Sequence, residues 1–266
     1  MCRFRIDSDR VDVTTPDSTR SSRWLGRRYL FRVGRLRIPS FAGLLYLGFV
    51  LGVVLGGYET GLEYPRFAVS AVILLVFALI GSRIWYLIGH PRFLADRTGG
   101  VRVADAGAAL YGGLVLSFAV SWPVLRLTGL EFWRSWDGTA IIMLVGMTLT
   151  RLGCLMNGCC SGRETHGPFG LWLPDDRGEW KRRYPTQLFE AGWSAAILGV
   201  AVSLHRPSDP PGLLFLGAAA AYGIGRIGLE LLRADAASTA LPTRINVAFS
   251  VVLAVVSLAA FVITLP

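Results

Sequence analysis

The chain has 266 residues, of which 53% are apolar and 17% charged, with a mean hydropathy of +0.49 and a formal net charge of +9. Soluble domains carry about a quarter of their residues as charges, so this balance excludes an ordinary soluble globular domain and points to a chain solvated by lipid. Of the four cysteines, Cys2, Cys154, Cys159 and Cys160, three sit within seven residues at the end of an apolar segment, and the set does not form a disulfide scaffold.

The first 39 residues hold ten arginines against four aspartates, six of the nine net charges. They lack the short basic start, compact apolar core and small-residue cleavage site of a signal peptide. They read as a disordered basic arm, residues 1–39, lying on the anionic head groups of membrane lipids. Nucleic acid has only the charge in its favour, so none is expected as a partner. Beyond the arm, crossing the hydrocarbon core takes roughly 20 mostly apolar residues per helix. In chain order the candidate spans are Ser40–Tyr58, Phe67–His90, Ala106–Leu125, Gly138–Gly158, Ala191–His205, Pro211–Leu232 and Ile245–Pro266. The expected fold class is all-α: a polytopic membrane protein of about seven transmembrane helices in one domain, residues 40–266. With seven spans, the arm and the loops at 91–105, 159–190 and 233–244 share one side. Those segments hold most of the Lys and Arg, and the positive-inside rule expects them in the cytoplasm.

Charges within the spans carry the functional reading. A charged side chain at mid-helix costs on the order of 2.5–3.5 kcal/mol to insert, so Arg83, Arg151 and Arg226 each need a reason. Tyr222, Arg226, Glu230 and Arg233 follow at spacings of four, four and three, which places them on one helix face. An Arg226–Glu230 ion pair accounts for two of them and leaves Tyr222 and Arg233 to face a cavity. Arg151 sits deep in its segment and is followed by Asn157 and the glycine-broken run "NGCCSG". Irregular backbone at membrane depth is tolerated only where protein buries it or a watery cavity is lined. The arginine is therefore expected to point into a cavity and hold an anion, for which a guanidinium fork suits a phosphate. Cys154, Cys159 and Cys160 read as small apolar residues, since their spacing with His166 fits no standard zinc pattern; neither metal nor cofactor is expected. Gly112–Gly113 permits close approach of a neighbouring helix or of a lipid, with the Tyr111 hydroxyl at the same depth.

Together these residues resemble the prolipoprotein diacylglyceryl transferase family. The resemblance runs through "GSRIWYL" around Arg83, "LYGGL" at Leu110–Leu114, Asp137 ahead of the central helix, "RLGCLMNGCCSGRETHGPFG", "YPTQLFEAG" and "YGIGRIGLELLRAD". It implies a seven-span enzyme of the bacterial inner membrane built around a lipid-binding cavity. Its reaction moves diacylglycerol from phosphatidylglycerol to the cysteine thiol of a lipoprotein precursor's signal peptide and releases glycerol phosphate. By position, Arg151 and Arg226 would hold the phosphate, Tyr222 would orient it and Asn157 would support the loop. Arg83, Gly112, Gly113, Gly162, Glu230 and Arg233 would complete the lipid and phosphate contacts. The resemblance also implies that the signature loop faces outward, opposite to the charge rule. Two departures stand out. Tyr111 replaces the histidine of the family's His-Gly-Gly, the residue generally assigned to activate the thiol. Cys159 stands where the signature commonly carries a glutamate.

Overall fold

The computed structural model describes residues 29–33, 36–89, 110–174, 179–230, 232 and 241–264. Among these, two short strands, β1 (Tyr29–Val33) and β2 (Leu36–Pro39), pair antiparallel and lead into helix α1 (Ser40–Thr60). The arm's final residues thus form a ribbon where the sequence suggested no structure; residues 1–28 lie outside the described residues. Helices α2 (Tyr64–Gly89), α3 (Leu110–Thr128) and α4 (Phe132–Asn157) follow. A second ribbon of β3 (Leu171–Pro174) and β4 (Trp180–Arg183) then precedes α5 (Thr186–Leu204), α6 (Leu213–Glu230) and α7 (Leu241–Thr264).

Six of the seven described helices are long and apolar enough to cross a membrane by length and composition; the exception, α3, contains Pro123 and Arg126. The chain is a multi-pass helical membrane protein. Two boundaries depart from the expectation and matter for the site. Helix α4 begins at Phe132, so Asp137 lies inside it rather than ahead of it. Helix α5 begins at Thr186, which brings Gln187 and Glu190 into the helix.

In a bilayer, helices gain little by hiding apolar surface from one another, so close backbone approach through small residues drives packing. Helix α1 lies on α4 through Gly48, Gly52 and Gly56. A Cβ at these positions would come within 2.9 Å of Gly146 Cα, 2.7 Å of Ile142 Cα and 2.6 Å of the Gly138 carbonyl oxygen. The α2–α3 contact is built the same way from Gly81, Gly112 and Gly113, with a Cβ on Gly112 falling 2.2 Å from that of Trp85. The backbone of Gly112 and Gly113 is therefore used to pack helices. The main core forms where α4 meets α6: Trp136, Ile141 and Leu144 pack with Phe215, Ala218 and Tyr222. The Trp136 indole N–H donates to Ser121 on α3 at 3.1 Å, so the ring is buried without stranding its polar atom.

Candidate active site

Three helices bring their charges to one point. Glu190 of α5, only 2% exposed, places its carboxylate between two guanidinium groups. Its Oε2 faces Arg151 Nε of α4, and its Oε1 accepts from Arg226 Nη1 of α6 at 2.6 Å. Arg226 Nη2 also pairs with Glu230 Oε2 at 3.0 Å, the intrahelical pair expected from the sequence. The four groups sum to zero charge. None of these ion pairs includes Arg83, which sits half-buried on α2. Arg233 lies outside the described residues.

Burying charge at this depth is tolerable only with good pairing, and removing one partner strands the others. The pairing still leaves donors over. Among the described residues the terminal Nη groups of Arg151 donate no hydrogen bond. The Tyr222 hydroxyl, fully buried beside both arginines, has no hydrogen-bond partner. Below it, Tyr111, Leu114, Met143, Met147, Tyr222 and Leu253 line an apolar cavity between α3, α4, α6 and α7. The site thus joins a charge-paired, donor-rich end to an apolar space.

Tyr111 reaches the same region. Its hydroxyl is hydrogen-bonded to Ser250 of α7, its ring packs at a tilt of 43° against Phe249 with centroids 4.7 Å apart, and Arg226 and Glu230 both act on its phenol. The four residues read as catalytic, Arg151, Arg226, Tyr111 and Tyr222, are therefore neighbours in space.

The loop after α4 is held by the start of α5. Asn157 closes α4, Gly158 caps it in the left-handed conformation with φ +71°, and the chain turns back. Gln187 donates to the Cys159 carbonyl at 2.7 Å and Thr186 to the Cys160 carbonyl at 2.9 Å. One turn further along α5 stands Glu190. The segment "YPTQLFE" thus has a physical reading: two side chains fix the signature loop and the third bridges the arginines. Glu190 is the residue that sequence reasoning missed. Its signal was a carboxylate inside that quoted segment, at the edge of an apolar run. The Asn157 amide lies 3.8 Å from Cys159 Sγ.

The sulfurs of Cys154, Cys159 and Cys160 lie within 4.8 Å of one another, but Cys159 is disulfide-bonded. Cys154 and Cys160 are thiols, Cys154 buried and Cys160 half-buried. His166 is exposed in the loop. Outside the apolar layer, Glu164 hydrogen-bonds Lys181 at 2.8 Å and raises its ammonium above the ordinary lysine range.

Gly162 sits where three segments cross. Its N–H donates to the Tyr184 carbonyl at 2.9 Å, and a Cβ would fall 2.7 Å from the Leu232 carbonyl oxygen and 2.8 Å from that of Tyr184. Backbone oxygens cannot swing aside as a side chain can. Gly162→Ala is therefore expected to destabilise the protein by about 1–3 kcal/mol through overpacking. Denaturation of the purified variant in detergent checks this, and an unchanged midpoint would refute the crowding.

The model of the prolipoprotein diacylglyceryl transferase family matches residues 28–263. A phosphatidylglycerol–prolipoprotein diacylglyceryl transferase of Solidesulfovibrio magneticus is 32% identical over 200 residues, covering 72% of this chain and 76% of that protein. Proteins of the same name from Bacillus velezensis and Geobacillus kaustophilus are 27% and 26% identical, covering 86% and 89% of this chain and 88% and 92% of their own lengths. Over nearly its whole length past the basic arm, the chain belongs to the prolipoprotein diacylglyceryl transferase family.

Proposed function

We propose that this chain transfers the diacylglyceryl group of phosphatidylglycerol to the lipobox cysteine of a lipoprotein precursor, in the bacterial inner membrane. The observation that carries the reading is the Arg151–Glu190–Arg226 bridge with its unused Arg151 donors and the unpartnered Tyr222 hydroxyl, set against an apolar cavity. That arrangement suits an amphiphile with an anionic phosphate head. In the reaction the peptide sulfur forms a bond to the glyceryl carbon as the carbon–oxygen bond to phosphate breaks. The electron pair leaves with the phosphate, and the thiol proton is lost to the medium. Negative charge grows on the departing phosphate, so preorganised guanidinium groups stabilise the transition state more than the bound lipid. Tyr222 orients the phosphate through its hydroxyl, and Asn157 and Gly162 hold the signature loop around it.

Tyr111 takes the place of a histidine base but a neutral phenol, with a usual pKa of ~10, is a poor base for a thiol of pKa ~8.5. We assign it a positioning role through Ser250, and assign thiolate stabilisation to the guanidinium-bearing end of the site. The basic arm recruits anionic lipid to that end. It runs into α1, where Ser40 and Phe41 pack on Gly153, two residues from Arg151.

The test is direct. Purified protein, phosphatidylglycerol and a lipobox peptide are expected to yield a diacylglyceryl-peptide adduct by mass spectrometry, with glycerol phosphate released. Tyr111 and Cys159, standing where the family carries His and Glu, favour a second reading in which another acceptor takes the group. Absence of the adduct from folded, lipid-loaded protein would shift the assignment to that reading.

A further inference from the structure

We infer that Asp137 is a positioning residue: a clamp that sets the axial register of α6 on α4 and so brings Arg226 level with Arg151. The inference rests on the reading of those arginines as phosphate ligands. Asp137 is 3% exposed in the second turn of α4, far from the charge cluster. Its Oδ2 accepts from the Gly212 N–H at 2.7 Å and its Oδ1 from the Phe215 N–H at 2.8 Å. These are amides at the start of α6, which has no earlier turn to accept them, and a carboxylate there also meets the positive end of the helix dipole. Gly212 adopts φ +94°, and a Cβ on it would fall 2.9 Å from the Trp133 ring, so glycine is required where its N–H is presented. His205 and Arg134 are the other charged or titratable groups acting on the carboxylate.

The consequence lies at the other end of both helices. Starting together at the clamp, α4 and α6 run parallel. Fourteen residues separate Asp137 from Arg151 and fourteen separate Gly212 from Arg226 (151 − 137 and 226 − 212). At about 1.5 Å per residue both arginines lie about 21 Å from the clamp, at one depth. Intermediate positions keep step: Ala140, Leu144 and Met147 of α4 and Phe215, Ala219 and Tyr222 of α6 line the same cavity. The α6 side of that contact is rich in alanine, and among the described residues no ion pair joins α4 to α6 between the clamp and the arginines. A rigid helix transmits a displacement at one end to the other undiminished. Misplacement of a catalytic group by about 1 Å can cost about a hundredfold in rate.

Asp137→Asn replaces one charged acceptor with an amide N–H that opposes the donors of α6. It is expected to lower kcat/KM for transfer at least about tenfold in the native background. In an Arg226→Lys background its further cost should be less than half that, in logarithmic terms, because a flexible ammonium does not depend on the placement of a planar fork. A role confined to stability would lower the rate by the same factor in both backgrounds, and that result, or no loss at all, would overturn the clamp. Gly212→Ala breaks the same contact from the α6 side and serves in the same cycle if Asp137→Asn cannot be purified. Competitive inhibition by glycerol phosphate, measured on the native chain and on Arg226→Ala, tests the phosphate reading separately.

Discussion

Arg151→Ala and Arg226→Ala are each expected to lower diacylglyceryl transfer by about 10²–10³-fold, the usual effect of deleting one preorganised donor aimed at developing negative charge. The alanine variants also strand Glu190, so lost folding must be separated from lost chemistry. Arg151→Lys does this, because it keeps a cation beside the Glu190 carboxylate but lacks the planar fork. It is expected to fold with a near-native denaturation midpoint while losing about a hundredfold in rate. The check is a peptide-adduct assay by mass spectrometry alongside denaturation in detergent. Native rates in both alanine variants would remove the arginines from the chemistry.

The largest loss of stability is expected from Glu190→Ala. That carboxylate is 2% exposed and pairs with guanidinium groups on two different helices, α4 and α6. Removing it leaves two buried cations facing each other, of which Arg226 keeps its ion pair with Glu230. Breaking a buried pair by deleting one member costs about 3–5 kcal/mol, and here two pairs break together. Glu190→Gln keeps the shape and one acceptor oxygen, so it should recover part of the loss but not all of it. The midpoint of denaturation in a detergent mixture reads both variants. An alanine variant as stable as the native chain would mean that the bridge contributes nothing to holding α4, α5 and α6 together.

Much of this site is legible in the chain, for a physical reason. An arginine inside an apolar run is conspicuous because its insertion is costly, and so Arg151 and Arg226 declare themselves without a structure. Tyr222 and Glu230 follow from helical spacing on the same face as Arg226. Glu190 was harder to find, because the apolar run that marks the span begins after it, and only the extra turn of α5 from Thr186 places it within the membrane layer. Asp137 read as a residue ahead of its helix, since the uncharged run that marks the span begins after it at Gly138, while the helix itself starts at Phe132. Gly112 and Gly113 were open to two readings, packing or lipid contact. The 2.2 Å approach of a Cβ on Gly112 to Trp85 shows how closely the helices pack there.

The sequence by itself determined that this is a multi-pass helical membrane protein, roughly where its spans fall, and which cations sit among apolar residues. Those properties are local, set by composition over a helix length and by the cost of charge in hydrocarbon. The tertiary structure alone decided which helices meet, at what register, and which carboxylate joins the arginines. In a bilayer the faces toward lipid and toward neighbouring helices are both apolar, so no amphipathic stripe marks the packing side as it would in water. Register is left to sparse features whose partners lie far away in sequence: glycines that admit a backbone, Asp137 at the start of α6, and Glu190 between Arg151 and Arg226.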